Sequence, residues 1–316
     1  MARPDESGPA DTDLTDSEAA TRDGRSAPAF TIGMTEIKAR PVEPALYLVS
    51  TPIGNLGDIT LRALETLASA DLLACEDTRV TRVLLERYGI RRRPFAYHEH
   101  NAQAAGERLM AALDAGQSVA LVSDAGTPLV SDPGFRLVES ALAAGHRVVP
   151  IPGASAPLAA LTASGMPSDS FLFAGFLPQK SKARRDRLGA LQRMPATLIF
   201  FESPHRIADA LVDAAEVLGE NRPAAVCREL TKTFEETRRG TLGELAQHYA
   251  SSGNVKGEIV FLIAPFVEEA SDIDPQALLD DLVRTMPPAK AATEAAKLTG
   301  LPRKDLYARL LEMKRG

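Results

Sequence analysis

The sequence has no tryptophan, two cysteines and no long apolar run, and each shortage excludes a class of protein. Cys75 and Cys227 lie far apart in apolar stretches, which is typical of buried thiols in a reducing compartment and not of a disulfide framework. The longest apolar run, 259–267, contains a proline and falls well short of the roughly 20 residues that span a bilayer. Since the N-terminus also lacks a signal-peptide pattern, we expect a cytoplasmic protein.

Charge and aromatic content are also low. Aromatic residues make up 5% of the 316 residues and the formal net charge is -6, so the chain as a whole is not a basic nucleic-acid binder. Base stacking is therefore expected to be a minor theme, and local basic clusters matter more than the total charge. A hydrophobic content of 45% is ample for two or three packed units.

The composition changes along the chain and predicts four regions. Residues 1–43 are rich in Asp, Ser, Thr, Ala and Pro, which predicts a disordered tail, and Met34 is a possible alternative start. Residues 44–167 and 168–267 are predicted to form two α/β subdomains, and 272–316 a helical appendage.

The first subdomain alternates short apolar runs with segments of helical periodicity, which predicts a mainly parallel sheet covered on both faces. In the second subdomain several apolar runs are close enough in sequence for antiparallel pairing, which predicts a mixed sheet. Three helices are predicted in the appendage, at 275–285, 288–298 and 303–314. The turn at Thr299-Gly-Leu-Pro302 suits either a helix-turn-helix or an ordinary helical hairpin.

Small and polar residues follow three strands of the first sheet, where ligands bind in folds of this kind. The segments are Ser50-Thr-Pro-Ile-Gly-Asn-Leu-Gly-Asp58, Ser123-Asp-Ala-Gly-Thr-Pro128 and Pro152-Gly-Ala-Ser155. Asp124 and Asp132 are candidates to accept hydrogen bonds from a cofactor, although Asp132 before a proline is better explained as a helix N-cap. The first loop is neither a P-loop nor a dinucleotide fingerprint.

A second group of charged residues follows strands of the second half. Glu202, Arg206, Arg228, Glu229 and Lys232 are either one functional cluster or a set of surface ion pairs. His205 alone is more typical of a cap or surface position than of a base.

Metal and hydrolase chemistry are not favoured. His98 and His100 would point to one face of a strand, but no third ligand with suitable spacing follows, so no metal site is predicted. Neither a Gly-x-Ser-x-Gly elbow nor a Ser-x-x-Lys motif occurs.

An ordered series of motifs closely resembles one family. The three loops above are joined by Glu76-Asp-Thr-Arg79, Tyr97-His-Glu-His-Asn101, Gly175-Phe-Leu-Pro178, Glu202-Ser-Pro-His-Arg206 and Cys227-Arg-Glu-Leu-Thr-Lys232. Together they resemble the 16S ribosomal RNA (cytidine-2′-O)-methyltransferases, the RsmI family within the tetrapyrrole methylase superfamily. The resemblance covers about residues 46–264.

The resemblance implies a two-domain tetrapyrrole-methylase-like fold, a homodimer, and S-adenosylmethionine held between the domains. The implied substrate is a cytidine ribose in the decoding region of the small ribosomal subunit. The cofactor-lining positions carry over to Pro52, Ile53, Gly54, Ser123, Asp124, Ala125, Ala154, Ser155, Ala156 and Phe201. The long acidic tail departs from the compact start expected for the family.

Transfer to a ribose hydroxyl calls for a base or a cationic neighbour, and Glu202, His205 and Glu229 are candidates for the base. Phosphate contacts are expected from local basic clusters in the second half and in the appendage. The candidates are Arg184, Arg185, Arg206, Arg228, Lys232, Arg303 and Lys304.

Two rival hypotheses stay open at this point. A corrinoid or sirohaem precursor C-methyltransferase would share the cofactor cleft, although its first loop usually differs from Thr51-Pro-Ile-Gly54. A non-catalytic ribosome-binding module would have lost cofactor affinity, which the intact motifs argue against.

Overall fold

The computed structural model describes residues 27–131, 134–253, 255–268 and 274–313. It begins with a β-hairpin of β1 (Ala29–Ile32) and β2 (Thr35–Lys38), turned at Gly33. Phe30 of β1 is buried in the core beside α1 (Leu61–Ser69), and the Thr31 N–H donates to the Tyr88 carbonyl at 2.8 Å. The prediction that residues 1–43 form a disordered tail is therefore wrong for this hairpin, because the hairpin has an apolar side chain, Phe30, to bury. Residues 1–26 lie outside the described residues.

The first sheet has five parallel strands in the order β5-β4-β6-β3-β7. They are β3 (Leu46–Val49), β4 (Leu72–Cys75), β5 (Phe95–Ala96), β6 (Val119–Val122) and β7 (Val148–Ile151). The helices between them are α1, α2 (Thr78–Arg87), α3 (Ala102–Asp114) and α4 (Phe135–Ala143), and α5 (Ala156–Ser164) follows β7.

Successive side chains of β3 enter different cores, as the two-residue period of a strand requires. Tyr47 and Val49 pack with α1 on one face, while Leu46 packs with α3 on the other. This arrangement confirms the predicted parallel sheet with two covered faces.

The second sheet is mixed, with the order β11-β10-β12-β9-β8. Only the β8/β9 pair is parallel among its described strands. The strands are β8 (Phe171–Phe176), β9 (Thr197–Glu202), β10 (Pro223–Arg228), β11 (Glu236–Thr241) and β12 (Ile259–Ile263). One face packs against the helices α6 (Ser181–Leu191), α7 (Ile207–Leu218) and α8 (Leu242–Ser251).

The helix α5 connects the two sheets. Ala160 and Leu161 of α5 are buried against Ile199, Ala225 and other residues on the second face of the mixed sheet, and Ile53 from the loop after β3 joins them. The carboxyl end of the parallel sheet is thus held against the second sheet, which creates the cleft described below.

Three helices follow, and they share a core of their own. The helices are α9 (Pro275–Thr285), α10 (Pro288–Thr299) and α11 (Arg303–Met313). Leu279 packs with alanines of α10 and with Leu306 and Leu310 of α11, and Gly300 ends α10 in the left-handed conformation. The three helices match the predicted segments closely.

Candidate active site between the two sheets

The loops after β3, β6 and β7 lie side by side because these three strands are neighbours in the sheet. The backbones of Thr51 and Gly126 exchange hydrogen bonds of 2.9 and 3.1 Å. The Thr51 hydroxyl donates to the Ser123 carbonyl at 3.0 Å, and the Thr127 hydroxyl to the Ala154 carbonyl at 3.3 Å. The three polar segments found in the sequence therefore form one continuous surface.

Two glycines in this surface have no room for a side chain. A Cβ on Gly153 would lie 2.8 Å from the Cβ of Ser50. Gly126 has a φ of +88°, and a Cβ there would lie 3.2 Å from Cγ2 of Ile53. Close packing against the Ser50 and Ile53 side chains, together with the positive φ of Gly126, is the reason for glycine at these positions.

A cavity of about 340 Å³ opens beside the loop after β3. Six of the predicted cofactor positions line it, and two residues of the second half, Lys232 and Glu258, form part of its wall. The six are Pro52, Ile53, Gly54, Ser123, Asp124 and Ala125.

A second cavity, of about 220 Å³, lies on the other side of Ala125. Ala125, Ser155, Ala156 and Phe201 line it, and all four are predicted cofactor positions. Ala154 supports this wall through its carbonyl, which accepts the Thr127 hydrogen bond. Because Ala125 belongs to both cavities, two ligands bound in them would be neighbours, as a group-transfer reaction requires.

The carboxylate of Asp124 is tied to a neighbouring loop. Its Oδ1 accepts a hydrogen bond of 2.8 Å from the Asp77 N–H, and burial raises its pKa. Asp77 is itself held by the Arg79 guanidinium, whose hydrogen bonds lower the pKa of Asp77 to about 2. Asp132, the other candidate acceptor, lies outside the described residues.

Comparison with known proteins identifies this architecture. The family model of the tetrapyrrole (corrin/porphyrin) methylases matches residues 45–246, and the model of the RsmI C-terminal HTH domain matches 269–314. The chain is 66% identical to the ribosomal RNA small subunit methyltransferase I of Mesorhizobium japonicum, over 90% of this chain and 97% of the relative. The chain belongs to the RsmI family of tetrapyrrole methylases.

A second relative, the ribosomal RNA small subunit methyltransferase I of Escherichia coli O157:H7, is 50% identical over 84% of this chain and 94% of its own length. Among solved structures, the uroporphyrin-III-C-methyltransferase of Thermus thermophilus aligns with a TM-score of 0.51 at 22% identity, covering 70% of this chain and 94% of that one. A cobalt precorrin-4 methyltransferase gives 0.53 at 18% identity, with 69% and 94% covered. At these identities the solved structures show that the fold is shared, which confirms the predicted fold class.

Glu202, one of the three candidate bases, is held in place by its neighbours in this RsmI chain. Its side chain is buried, accepts the Ser203 N–H at 2.8 Å, and pairs with Arg206 at 2.8 Å. Arg206 also donates to the Leu177 carbonyl at 2.7 Å. The pair therefore joins the end of β9 to the start of α7, and the Glu202 carboxylate is already engaged by two hydrogen-bond donors. The phosphate contact predicted for Arg206 stays a prediction.

The other two candidate bases differ in their surroundings. His205 is exposed on the turn before α7. Glu229 has a φ of +53° and accepts hydrogen bonds of 2.9 Å from both the Lys232 ammonium and the Glu258 N–H. The Glu258 N–H and Lys232 together hold the pKa of Glu229 below its ordinary value. Glu229 therefore holds the ammonium group of Lys232, a residue that lines the larger cavity.

The structure contradicts the RNA contact predicted for Arg184. Only 5% of its side chain is exposed, and its guanidinium pairs at 2.6 Å with Asp213, which is equally buried. The sequence pattern did not show which arginine of α6 faces inward. Arg185 is 44% exposed but is shared between Asp213 and Glu216, and Arg228 pairs with Glu236. RNA contacts of Arg185 and Arg228 stay predictions.

The basic residues of the appendage are placed differently. Arg303 and Lys304 are exposed at the start of α11, away from the helical core. Phosphates can therefore reach both side chains, and their role in RNA binding stays a prediction.

Several cavity residues were not predicted from the sequence. Val80 and Val83 of α2 are exposed and line the larger cavity, and Glu258 does so from the loop before β12. The sequence feature that could have indicated these valines is their spacing on a charged helix, because an exposed apolar face on such a helix indicates a binding surface. Glu258 had a weaker signal, in the polar Lys256-Gly-Glu258 that opens the last strand.

The histidine pair does not lie on a strand. His98 precedes a short 3-10 helix that contains His100, and β5 ends before them at Ala96. Within the part of the chain that the structure describes, no group of three or more His, Cys, Asp or Glu residues is placed to hold a metal ion. None of the described helices is long and apolar enough to cross a membrane.

Proposed function

We propose that this chain transfers a methyl group from S-adenosylmethionine to the ribose 2′-oxygen of a cytidine in 16S ribosomal RNA of the small ribosomal subunit. The observation that carries the proposal is the 66% identity to a relative named ribosomal RNA small subunit methyltransferase I, of which 97% is covered. The cytidine and the 2′-oxygen come from the family resemblance of the motifs.

The residues of the cleft fit the cofactor. A cradle of small residues lies at the ends of three strands, and a Cβ on Gly126 would fill part of it. Ser155 supplies a hydroxyl, and the Phe201 ring offers an apolar face for a purine. When bound, S-adenosylmethionine supplies a methyl group on a positively charged sulfur that is an excellent leaving group.

The protein's own task is then mainly to position the two reactants. Ala125 lines both cavities, so an acceptor in one cavity can approach a donor in the other. Holding both in line and excluding water is worth about 7–11 kcal/mol in intramolecular reactions of this type. No metal is needed for the transfer.

The partners follow from the substrate. Phosphates are expected to meet exposed cations such as Arg303 and Lys304, since clustered charge binds nucleic acid even where the net charge is negative. A homodimer and a cytoplasmic location, both expected from the sequence, belong to this proposal. Light scattering of the purified protein tests the dimer.

The decisive experiment maps ribose methylation in small-subunit RNA from cells with and without this protein. Loss of a single 2′-O-methylcytidine, restored when purified protein and labelled S-adenosylmethionine are added to the deficient subunits, is the expected result. A Gly126→Leu variant, which fills the cradle, should restore nothing. Unchanged methylation in the deleted cells would refute the proposal, and methylation of a tetrapyrrole precursor instead would support the rival C-methyltransferase.

A further inference from the structure

The larger cavity carries a cluster of ion pairs centred on Lys232. Among the described residues that line it, Lys232 is the one cation, and Asp124 and Glu258 are the carboxylates. The Lys232 ammonium lies 2.9 Å from the carboxylate of Glu229 and 3.0 Å from that of Glu258. The Lys232 side chain is 28% exposed, so it is held in place and still reaches the cavity.

The backbone is strained at the point where it presents Lys232. Glu229 and Thr231 have φ values of +53° and +66°, which are uncommon for residues with a side chain and costly for a β-branched one. Such strain persists only where the surroundings impose it, and it is concentrated at functional sites. Here the Glu229 N–H donates a hydrogen bond of 2.9 Å to the Glu258 carbonyl, and the Glu258 N–H donates to the Glu229 carboxylate at 2.9 Å.

Two glycines make room for this cluster. A Cβ on Gly54 would lie 2.5 Å from Cγ of Lys232, and a Cβ on Gly257 would lie 2.4 Å from the Glu229 carboxyl carbon. The loop after β3, which lines the cavity, therefore packs directly on the lysine stem. The cluster and the predicted cofactor loop form one rigid wall.

We propose that Lys232 is a catalytic residue, whose ammonium stabilises the negative charge that develops on the acceptor oxygen during methyl transfer, and that Glu258 accepts the proton. Glu229 is a positioning residue that acts through Lys232. This inference rests on the proposed function, since a ribose hydroxyl is a poor nucleophile while it keeps its proton.

The step balances as follows. The acceptor oxygen forms a bond to the methyl carbon, and the carbon–sulfur bond breaks with its electron pair staying on sulfur as a neutral thioether. The hydroxyl proton passes to the Glu258 carboxylate, whose side chain is 73% exposed and can release it to water. Lys232 keeps its three protons throughout.

Lys232 does not act as the base. Burial alone would lower its pKa, but the hydrogen bonds and charges of Glu229 and Glu258 outweigh burial and raise the pKa above its ordinary value. The side chain is therefore charged at neutral pH, which suits a stabilising cation. A preorganised donor of this kind, aimed at developing charge, is typically worth about 100- to 1000-fold in kcat.

The test compares Lys232→Met, Lys232→Arg and Glu258→Gln in the full-length protein, with small subunits from deficient cells as substrate. Lys256→Met is the matched control, because it removes an exposed lysine close in sequence to Glu258. Single-turnover methyl transfer, S-adenosylmethionine affinity and melting temperature are measured for each protein.

We expect Lys232→Met to lose about 100- to 1000-fold in rate with cofactor affinity and melting temperature nearly unchanged. Lys232→Arg should recover part of the rate, since arginine keeps the charge but cannot act as a base. Glu258→Gln should slow the reaction and abolish the fall in rate at acidic pH that a carboxylate base imposes. Lys256→Met should match the natural protein.

A wild-type rate in Lys232→Met, or Lys232→Arg as slow as Lys232→Met, would overturn the proposal. A Glu258→Gln variant that keeps the natural rate and pH profile would overturn the assignment of the proton acceptor. If the natural protein binds S-adenosylmethionine but methylates no small-subunit RNA, the proposed function fails, and this inference fails with it. A failure confined to the lysine variants leaves the proposed function standing.

Discussion

The Asn55 backbone N–H donates a hydrogen bond of 3.0 Å to Oγ1 of Thr231, a residue 176 positions later in the chain. Thr231 is in the left-handed conformation, which costs about 1–3 kcal/mol for a residue of this kind. The bond therefore helps to hold a strained loop against the loop after β3. It fixes the wall of the larger cavity that both loops share.

Replacement of Gly54 by Val is expected to abolish methyl transfer. The new Cβ would fall 2.5 Å from Lys232 Cγ and 2.8 Å from Thr231 Oγ1, so the two loops must separate. We expect at least a tenfold loss of S-adenosylmethionine affinity, measured by calorimetric titration. Gly189→Ala is the control, because its Cβ would meet only Val217 at 4.0 Å and alanine stabilises a helix by about 0.5–1 kcal/mol. Equal affinity of the Gly54→Val and natural proteins would remove this loop from the cofactor site.

The N-terminal hairpin is expected to stabilise the first subdomain. Phe30 is 4% exposed, and its replacement by Ala should lower the free energy of unfolding by about 3 kcal/mol, at the low end for a buried phenylalanine. Met34, at the turn of the same hairpin, is fully exposed, so Met34→Ala should change nothing. Urea denaturation measures both variants. Equal stability of the two would mean that the hairpin is not part of the core.

The hairpin also shows what the sequence could and could not predict. Its signal was the alternation in Phe30-Thr-Ile32 and Glu36-Ile-Lys38 around Gly33, but four-residue strands inside a polar segment give little periodicity. The helix α2 has a weak signal in the sequence, because Thr and Val lower its helix propensity and its exposed valines face a cavity instead of a core. By contrast, α5 has a strong signal in the sequence, since it is apolar and ends at Gly165.

The candidate site likewise has parts that could be predicted from the sequence and parts that could not. The three loops after β3, β6 and β7 were predictable because motifs of small residues at strand ends are local properties of the chain. The contact of Lys232 with Gly54 was not, because it depends on how the second sheet docks onto the first. Burial of Arg184 depends likewise on the position of Asp213 on α7, a helix that the sequence pattern did not delimit.

Arg184 and Arg185 are adjacent on α6 and provide a matched pair. Arg184→Ala leaves the Asp213 carboxylate buried without its inner partner, which should cost about 3–5 kcal/mol of unfolding free energy. Arg185→Ala removes a half-exposed partner and should cost about 0–1 kcal/mol. Thermal denaturation separates the two, and a larger loss in Arg185→Ala would contradict the burial described here.

The same ion pair gives stability a pH dependence. Burial alone would raise the pKa of Asp213, but hydrogen bonds from Arg185, Arg184 and Ser181 outweigh it and the pKa is lowered. The stabilisation is therefore complete above the ordinary aspartate pKa of about 3.9 and is lost as the pH falls through the lowered folded-state value. Unfolding free energies of the natural protein should fall steeply below about pH 4. An Asp213→Asn variant, less stable at neutral pH, should show a shallower fall, and parallel curves would contradict this account.

The helical appendage is expected to be separable from the cofactor site. Its core of Leu279, Leu306, Leu310 and three alanines is made entirely of its own residues. Truncation after residue 268 should therefore leave S-adenosylmethionine affinity and the melting of the catalytic body within experimental error. If the helices instead stabilise the body, both quantities should fall together.

Binding to small ribosomal subunits, unlike cofactor affinity, should weaken when the appendage is removed. The helices carry Arg303, Lys304 and Arg309 on exposed positions of α11, and each phosphate contact that is lost removes part of the counterion release. We expect weaker subunit binding and a shallower slope of log affinity against log salt, by about 0.7–0.9 for each contact. The double variant Arg303→Ala, Lys304→Ala in the full chain should reproduce part of this change with cofactor affinity intact, while Glu312→Ala should not. Subunit affinity measured across a salt series decides the matter, because an unchanged slope in the truncated protein would place the RNA contacts on the catalytic body.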